Sequence, residues 1–272
     1  MIGIFDSGLG GLSVLKHLVS DLSEYDYIYL GDNARVPYGN KSSDLIYTYT
    51  CQAVDFLFSQ GASLIILACN SASSQALRKL QLEYISKKYP QKNVLGVIAP
   101  LVEKVVYDKN ISKVAVIGTR ATINSRVYSK EIFSLNNNIE VIEKAAPLLV
   151  PLIEENWLKE TETKMILKHY LRELKMKQVQ ALILACTHYP FLLSEIRQIM
   201  GKSCQVYNPG EIIADSLKNY LNRHSEFKLN KSDKAKRLFF ATDKQGNFKQ
   251  MAERFLGSKI ENINYIKLDE RI

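Results

Sequence analysis

Seven short aliphatic segments, separated by amphipathic helical patterns, constrain the fold of this chain more than any other feature of its sequence. Near-continuous aliphatic strands of this kind are typical of parallel sheets that helices cover on both faces. The sequence therefore predicts an α/β protein with mainly parallel sheets. The predicted strands are residues 2–5, 27–30, 64–68, 94–98, 114–118, 181–185 and 237–242.

The clearest helical pattern lies between the second and third predicted strands, at residues 44–61. Apolar residues recur there at the spacing expected for the buried face of a helix. We expect Ser43 or Asp44 to cap the start of this helix and Gly61 to end it.

An internal repeat divides the chain into two similar halves. LIILACNSAS at residues 64–73 is matched by LILACTHYP at residues 182–190, and residues 2–11 resemble residues 114–122. The members of both pairs are separated by a similar length of chain, which favours an internal duplication over chance. We therefore predict two pseudo-symmetric, doubly wound α/β domains with the active site in the cleft between them.

The domain boundaries are expected where polar segments interrupt the alternating pattern, near Pro100 and near residues 208–210. The first predicted domain is discontinuous and comprises residues 1–98 and 209–272. The second predicted domain comprises residues 99–208.

Cys69 and Cys186 each follow a predicted strand directly, at the sheet edge where open α/β folds bind ligands. Each also precedes a predicted helix, whose N-terminal partial positive charge favours thiolate over thiol. A single buried cysteine is more often an inert apolar residue, and we interpret Cys51 and Cys204 in that way. The matched surroundings of Cys69 and Cys186 favour a chemical role.

Polar side chains just after the two cysteines are candidates to cap these helices. Ser71 or Ser73 can cap the first helix, and Thr187 or His188 can cap the second. We expect the second helix to end at Gly201.

Two thiols that face one pocket from opposite sides suit the inversion of a carbon acid. One thiolate removes a proton from one face, and the thiol on the opposite face returns a proton. Each cysteine then acts as a base in one direction and as an acid in the other.

The composition argues against several other classes of protein. The net charge of +8 comes from scattered basic residues, and the densest basic segment, 228–237, is interpreted as a solvated linker, so nucleic acid is not favoured as a partner. The cysteine and histidine spacings predict no metal site, and the Gly-rich residues 6–11 lack the spacing of a nucleotide-binding loop. No apolar run could span a membrane and no signal peptide is evident, so we expect a cytoplasmic protein with reduced thiols.

Several longer motifs are distinctive in combination. They are FDSGLGGLSVL (5–15), GDNARVPYGNK (31–41), ACNSAS (68–73), VIGTRATI (116–123), VPLIEEN (150–156), LACTHYP (184–190) and the C-terminal residues 239–257. Together they resemble the glutamate racemase family of the aspartate/glutamate racemase superfamily over nearly the whole chain. The resemblance implies two α/β domains with the site between them, cofactor-independent conversion of L- to D-glutamate, and a supply of D-glutamate for peptidoglycan synthesis.

Carried over by position, the resemblance implies that Cys69 and Cys186 are the acid/base residues and that Asp6 and His188 assist them. The residues assigned to substrate binding in this way are Asp6, Ser7, Pro37, Tyr38, Gly39, Asn70, Ser71, Glu154, Thr187 and His188. Thr119 and Thr122 could add two hydroxyls for a substrate carboxylate, although we expect one of them to cap a helix instead.

Two residues depart from the family pattern. Ser71 stands where threonine is usual and keeps the hydroxyl group, whereas Ala185 stands where glycine is usual and adds a methyl group beside Cys186.

Alternatives to this interpretation stay open on the sequence. Asp6 and His188 also have simple structural interpretations as helix-capping residues. A related racemase of aspartate, a hydantoin or a malonate would share the cysteine pair, and a non-catalytic binding module would share the fold. The family also includes homodimers and members that bind DNA gyrase, but the residues here do not locate either surface.

Overall fold

The computed structural model describes residues 1–224, 227, 229, 231–244 and 248–268. Strands in this part of the chain form two sheets, and every pairing between the strands is parallel. The strands are β1 (Ile2–Asp6), β2 (Tyr27–Gly31), β3 (Leu64–Leu67), β4 (Asn93–Gly96), β5 (Lys113–Gly118), β6 (Glu140–Ala145), β7 (Ala181–Ala185), β8 (Gln205–Val206), β9 (Arg237–Ala241) and β10 (Asn264–Tyr265).

Helices connect the strands and cover the sheets, as expected for parallel strands. They are α1 (Leu12–Asp21), α2 (Ser43–Ser59), α3 (Asn70–Gln75), α4 (Leu77–Lys79), α5 (Ser86–Lys88), α6 (Ile98–Val106), α7 (Arg120–Ser125), α8 (Val127–Leu135), α9 (Leu149–Glu154), α10 (Thr161–Met176), α11 (Leu193–Met200), α12 (Pro209–Arg223) and α13 (Phe248–Leu256). Short 3₁₀ turns occur at Asn33–Arg35, Tyr38–Asn40 and Tyr189–Leu192, and a π-helical segment, Leu80–Ile85, joins α4 to α5.

Four neighbouring strands of the larger sheet have the same order as the four strands of the smaller sheet, which supports the predicted pseudo-symmetry. The six-stranded sheet has the order β10-β9-β2-β1-β3-β4, and the four-stranded sheet has the order β6-β5-β7-β8. In sheet order, β2, β1, β3 and β4 of the larger sheet therefore correspond to β6, β5, β7 and β8 of the smaller sheet. The predicted fold class is confirmed, whereas the domain boundaries stay predictions.

Alternate residues of the central strands enter different hydrophobic clusters. In β3, Leu64 and Ile66 join one cluster, and Ile65 and Leu67 join another. Because neighbouring side chains of a strand point to opposite faces, both faces of this sheet are covered. This burial explains why β3 is aliphatic throughout, without the apolar–polar alternation of a half-exposed strand.

The structure adds three strands to the prediction and shortens one predicted strand. β6 was missed because it is an edge strand of largely half-buried residues with charged positions, and β8 and β10 were missed because each has only two residues. The predicted strand 94–98 runs too far, because β4 ends at Gly96 and Ile98 already begins α6.

The structure also corrects several predicted helix caps. Ser42, rather than Ser43 or Asp44, caps α2 by accepting a hydrogen bond from the backbone N–H of Leu45 at 3.4 Å. Gly61 adopts a φ of 91° just beyond α2, and the prediction that it ends this helix is confirmed.

The predicted caps after the two cysteines are wrong. α3 begins at Asn70 directly after Cys69, so Ser71 and Ser73 lie inside the helix, and Ser73 Oγ donates to the Leu67 carbonyl at 2.7 Å. After Cys186 a 3₁₀ turn precedes α11, and neither Thr187 nor His188 caps a helix with its side chain. The predicted end of α11 at Gly201 is confirmed by a φ of 81°.

Within the described ranges, no helix combines the length and the apolar character that crossing a bilayer requires. Of the basic segment 228–237, residues 228 and 230 lie outside the described residues. The remaining part joins α12 to β9, and residues 231–234 are solvent-exposed. Its interpretation as a linker is consistent with this placement.

Candidate active site

A cavity of about 170 Å³ lies where the carboxyl ends of β1 and β3 meet those of β5 and β7. Most of the predicted site residues line it: Ser7, Pro37, Tyr38, Gly39, Cys69, Asn70, Ser71, Thr119, Glu154, Cys186, Thr187 and His188. Asp6 and Thr122 lie behind this wall, in contact with lining residues. Residues that the sequence did not single out complete the lining: Val36, Asn40, Pro147, Val150 and Pro151.

The two cysteines reach the cavity from different sheets. Cys69 follows β3 after one residue, and Cys186 directly follows β7, so each thiol occupies the equivalent position in its domain. Both are free thiols and about 5% exposed. This placement, from pseudo-equivalent strand ends, agrees with the pairing that the repeated sequence predicted.

The environment of Cys69 favours the thiol form. Its Sγ lies 3.4 Å from Ser7 Oγ and donates a hydrogen bond to it. Burial, followed by the negative charge of Asp6, raises the pKa of Cys69 to about 12. The helix N-terminus was expected to favour a thiolate at Cys69, but here loss of hydration outweighs the helix effect.

His188 provides a positive charge beside Cys186. Its Nδ1 is 3.9 Å from Cys186 Sγ, and its Nε2 is 3.1 Å from Glu154 Oε1. Burial lowers the pKa of His188, but the hydrogen bonds to Cys186 and Glu154 outweigh burial and raise the pKa to about 10. The raised pKa favours the protonated ring, which lies beside the Cys186 sulfur.

Asp6 joins the two domains underneath the cavity. Its carboxylate is fully buried and accepts hydrogen bonds from Gly8 N at 3.0 Å and from Thr187 Oγ1 at 3.1 Å. Burial raises the pKa of Asp6, and the nearby His188 opposes that rise. Asp6 is no helix cap, because α1 begins only at Leu12 without any side-chain cap.

Three hydroxyls meet across the cleft on the opposite side. Ser71 Oγ is 2.9 Å from Thr119 Oγ1, which is 3.1 Å from Thr122 Oγ1. Thr119 also caps α7 by accepting from Thr122 N at 3.3 Å, so the prediction that one of these threonines is a cap is confirmed. Thr122 is buried behind the two lining residues of this cluster, Ser71 and Thr119.

The Tyr38 hydroxyl is bound by a carboxylate of the protein. It donates to the buried Asp32 carboxylate, which also accepts from Arg35 Nε at 2.7 Å and from Thr242 Oγ1 at 2.8 Å. Tyr38 therefore offers the cavity its ring and backbone. The sequence analysis missed Asp32, although it follows β2 immediately, at a strand-end position like that of Cys186.

The two departures from the family pattern fit the structure. Ser71 keeps the hydroxyl that contacts Thr119. The Ala185 methyl group packs in the apolar cluster around β5 and β7, and Ala185 is not among the residues that line the cavity.

No group of three or more His, Cys, Asp or Glu side chains is arranged to hold a metal ion within the described ranges. Fold and site define a two-domain α/β enzyme whose interdomain cavity receives one thiol from each domain. Among the described residues that line the cavity, His188 is the only one with a basic side chain, since none of them is lysine or arginine.

Comparison with known proteins identifies the family. The profile of the family described as Asp/Glu/Hydantoin racemase matches residues 2–217. Glutamate racemase from Geobacter metallireducens is 37% identical over 268 residues, covering 98% of this chain and 97% of the relative. Glutamate racemase from Aquifex pyrophilus is 40% identical over 256 residues, covering 94% of each chain.

A solved structure agrees with these sequence relatives. The crystal structure of glutamate racemase from Francisella tularensis in complex with D-glutamate superposes with a TM-score of 0.89 at 36% identity, covering 98% of this chain and 97% of the other. The chain belongs to the Asp/Glu/hydantoin racemase family. The resemblance predicted from its motifs is confirmed.

Proposed function

We propose that the protein interconverts L- and D-glutamate without a cofactor, using Cys69 and Cys186 as the two acid/base residues. The observation that carries the proposal is the arrival of one thiol from each pseudo-equivalent strand end at a single cavity. The relatives named as glutamate racemases, one of them with D-glutamate bound, support this substrate.

In the proposed reaction a thiolate removes the α-proton of the substrate, breaking the Cα–H bond and forming S–H. The opposite thiol then donates its proton to the other face of the carbanion, which inverts the centre. With Cys186 as the base, its sulfur takes the proton 3.9 Å from Nδ1 of the His188 ring, while burial and Asp6 favour the thiol form of Cys69. With Cys186 as the base and Cys69 as the acid, the site inverts one enantiomer of glutamate. After that turnover the roles of the two sulfurs are exchanged, and the site can invert the other enantiomer.

Recognition of the substrate would depend on neutral donors. Ser7, Asn70, Ser71 and Thr187 present hydroxyl and amide groups to the cavity, and these suit the two carboxylates of glutamate. The cavity is small compared with the ~300–1,000 Å³ of most ligand clefts, so it suits a compact ligand. The ammonium group of the substrate would offset the thiolate charge.

The proposed biological role is the supply of D-glutamate for peptidoglycan synthesis in the cytoplasm. This role is supported by membership of the family and by the activity proposed for the cavity.

Incubation with L-glutamate in D₂O, without added cofactor, tests the activity. Enantiomers have equal free energy, so the circular dichroism of glutamate should decay to zero and each inverted molecule should carry an α-deuterium. The Cys69→Ala variant is the control for contaminating racemases. Inversion of aspartate with no inversion of glutamate would instead assign the protein to a different racemase of this family.

A further inference from the structure

A hydrogen bond across the cleft fixes one residue of the cavity wall. Tyr128 Oη donates to Asn70 Oδ1 at 2.6 Å. Asn70 begins α3 in the first domain and is 4% exposed, whereas Tyr128 lies on α8 in the second domain and is fully buried. Asn70 lines the cavity and Tyr128 does not, so Tyr128 reaches the cavity only through the amide group.

The tyrosine is held firmly in this position. Arg126 adopts the left-handed conformation, with a φ of 57°, and sets the sharp turn from α7 into α8. Arg126 Nη1 contacts Glu143 Oε2 at 2.8 Å, and the other oxygen of Glu143 accepts from Ser129 N at 3.3 Å. Arg126 and Ser129, which lie on either side of Tyr128 in the sequence, are thus both bound to Glu143 of β6.

The direction of the hydrogen bond sets the orientation of the amide. Burial raises the pKa of Tyr128 far above its ordinary value, so its hydroxyl stays protonated and needs an acceptor. Among the described residues the only acceptor paired with it is Asn70 Oδ1. A flipped amide would leave this buried O–H without an acceptor, at a cost of about 1–3 kcal/mol. Asn70 therefore keeps both Nδ2 hydrogens for other partners.

We propose that Tyr128 is a positioning residue that holds the Asn70 amide with Nδ2 directed to a substrate carboxylate. The inference rests on the proposed glutamate racemase function. No described protein group accepts a hydrogen bond from Asn70 Nδ2, and the amide borders the cavity. A carboxylate bound in the cavity would accept this hydrogen bond. Because the two residues come from different domains, this donor is aligned only when the domains are in contact.

The Tyr128→Phe variant keeps the ring and removes only the hydroxyl. We expect KM for both L- and D-glutamate to rise about tenfold, with kcat changed much less, because the amide is free to present its oxygen to the substrate. The matched control is Tyr27→Phe, which also removes a buried hydroxyl, one that donates to the Leu18 and Leu22 carbonyls at the opposite edge of the sheet. The control should leave KM within about twofold of wild type.

A double-mutant cycle separates positioning from general packing. In an Asn70→Ala background, Tyr128→Phe should raise KM no further, because the amide through which it acts is gone. An unchanged KM in the single variant, or an equal rise in both backgrounds, would overturn the inference. If the wild type racemises glutamate, such a result refutes only the role of Tyr128, whereas an inactive wild type refutes the proposed function and this inference together.

Discussion

At the scale of single residues, the two thiols of this pseudo-symmetric site have opposite electrostatic surroundings. Cys69 lies near the buried Asp6 carboxylate, and Cys186 lies beside the His188 imidazolium. One thiol and one thiolate are the combination that a two-base inversion needs at the start of each turnover. Under the proposed mechanism, the flanking residues distinguish the two thiols, although the strands that carry the thiols are equivalent.

We expect Cys69→Ala and Cys186→Ala each to lower kcat for racemisation by roughly 10²–10⁴-fold or more, because each removes the proton carrier of one face. Polarimetry or circular dichroism measures the loss. Cys204→Ala is the matched control, since Cys204 is also a buried free thiol but lies away from the cavity. Substantial racemisation by either catalytic variant would rule out the two-thiol mechanism, whereas exchange of the α-proton on one face would not.

The raised pKa of His188 predicts a pH dependence of stability. A histidine whose pKa is raised on folding, here from 6.5 to about 10, binds its proton more tightly in the native state. Its contribution is complete below about pH 6.5 and is lost as the pH rises through about 10. The difference in unfolding free energy between wild type and His188→Asn should therefore shrink across this window.

Denaturant unfolding at several pH values measures this difference. The exposed His169 supplies the control variant, His169→Asn, which makes the same substitution away from the cavity. A difference for His188→Asn that does not vary with pH would show that folding does not raise the pKa of His188.

At the scale of elements, the turn between β1 and α1 brings the backbone close to the functional side chains of the other domain. A Cβ on Gly10 would overlap Thr187 Oγ1 and lie 2.5 Å from His188 Nδ1. A Cβ on Gly8 would meet nothing nearer than Val36 Cγ2 at 3.5 Å. Close approach, rather than a positive φ, is therefore what requires glycine at position 10.

Gly10→Ala should lower kcat/KM for glutamate by up to about 10²-fold, because displacing Thr187 and His188 by even an ångström disturbs the reacting geometry. Gly8→Ala, in the same turn, should stay within roughly threefold of wild type. Steady-state kinetics of the two variants and of wild type measures the change in kcat/KM. Equal activity in the two variants would mean that the cleft adjusts freely around position 10.

At the scale of the whole molecule, the site depends on contacts between the domains. Asp6 with Thr187, Ser71 with Thr119 and Asn70 with Tyr128 all pair a residue of one domain with a residue of the other. A ligand that fills the cavity adds bonds to both walls and should stabilise the assembled protein.

D-Glutamate at about 100 times its Kd should therefore raise the unfolding free energy by about 2.7 kcal/mol. Thermal or denaturant unfolding with and without the ligand measures the shift. Glycine, which lacks the side-chain carboxylate, is the control and should give little stabilisation at the same concentration. Equal shifts from both amino acids would indicate that the side-chain carboxylate is not recognised.

Much of this fold could be predicted from the sequence, because buried parallel strands are recorded locally as aliphatic runs. β1, β3, β5 and β7 are such strands, and the residues that follow them are placed at one sheet edge by the topology alone. Cys69 and Cys186 could be identified for the same reason. The edge strand β6 was not predicted, because its half-buried residue pattern resembles that of a loop.

The remainder was decided only by tertiary structure. Asp32 meets Thr242, and Tyr128 meets Asn70, across long stretches of chain that no local pattern records. The protonation preferences were likewise hidden: the helix N-terminus suggested a Cys69 thiolate, but burial and Asp6 raise its pKa. The sequence by itself determined the buried central strands, the repeat and the two thiols, because these depend on neighbouring residues. Tertiary packing decided protonation preferences and side-chain orientation, because both depend on desolvation and on partners distant in the chain.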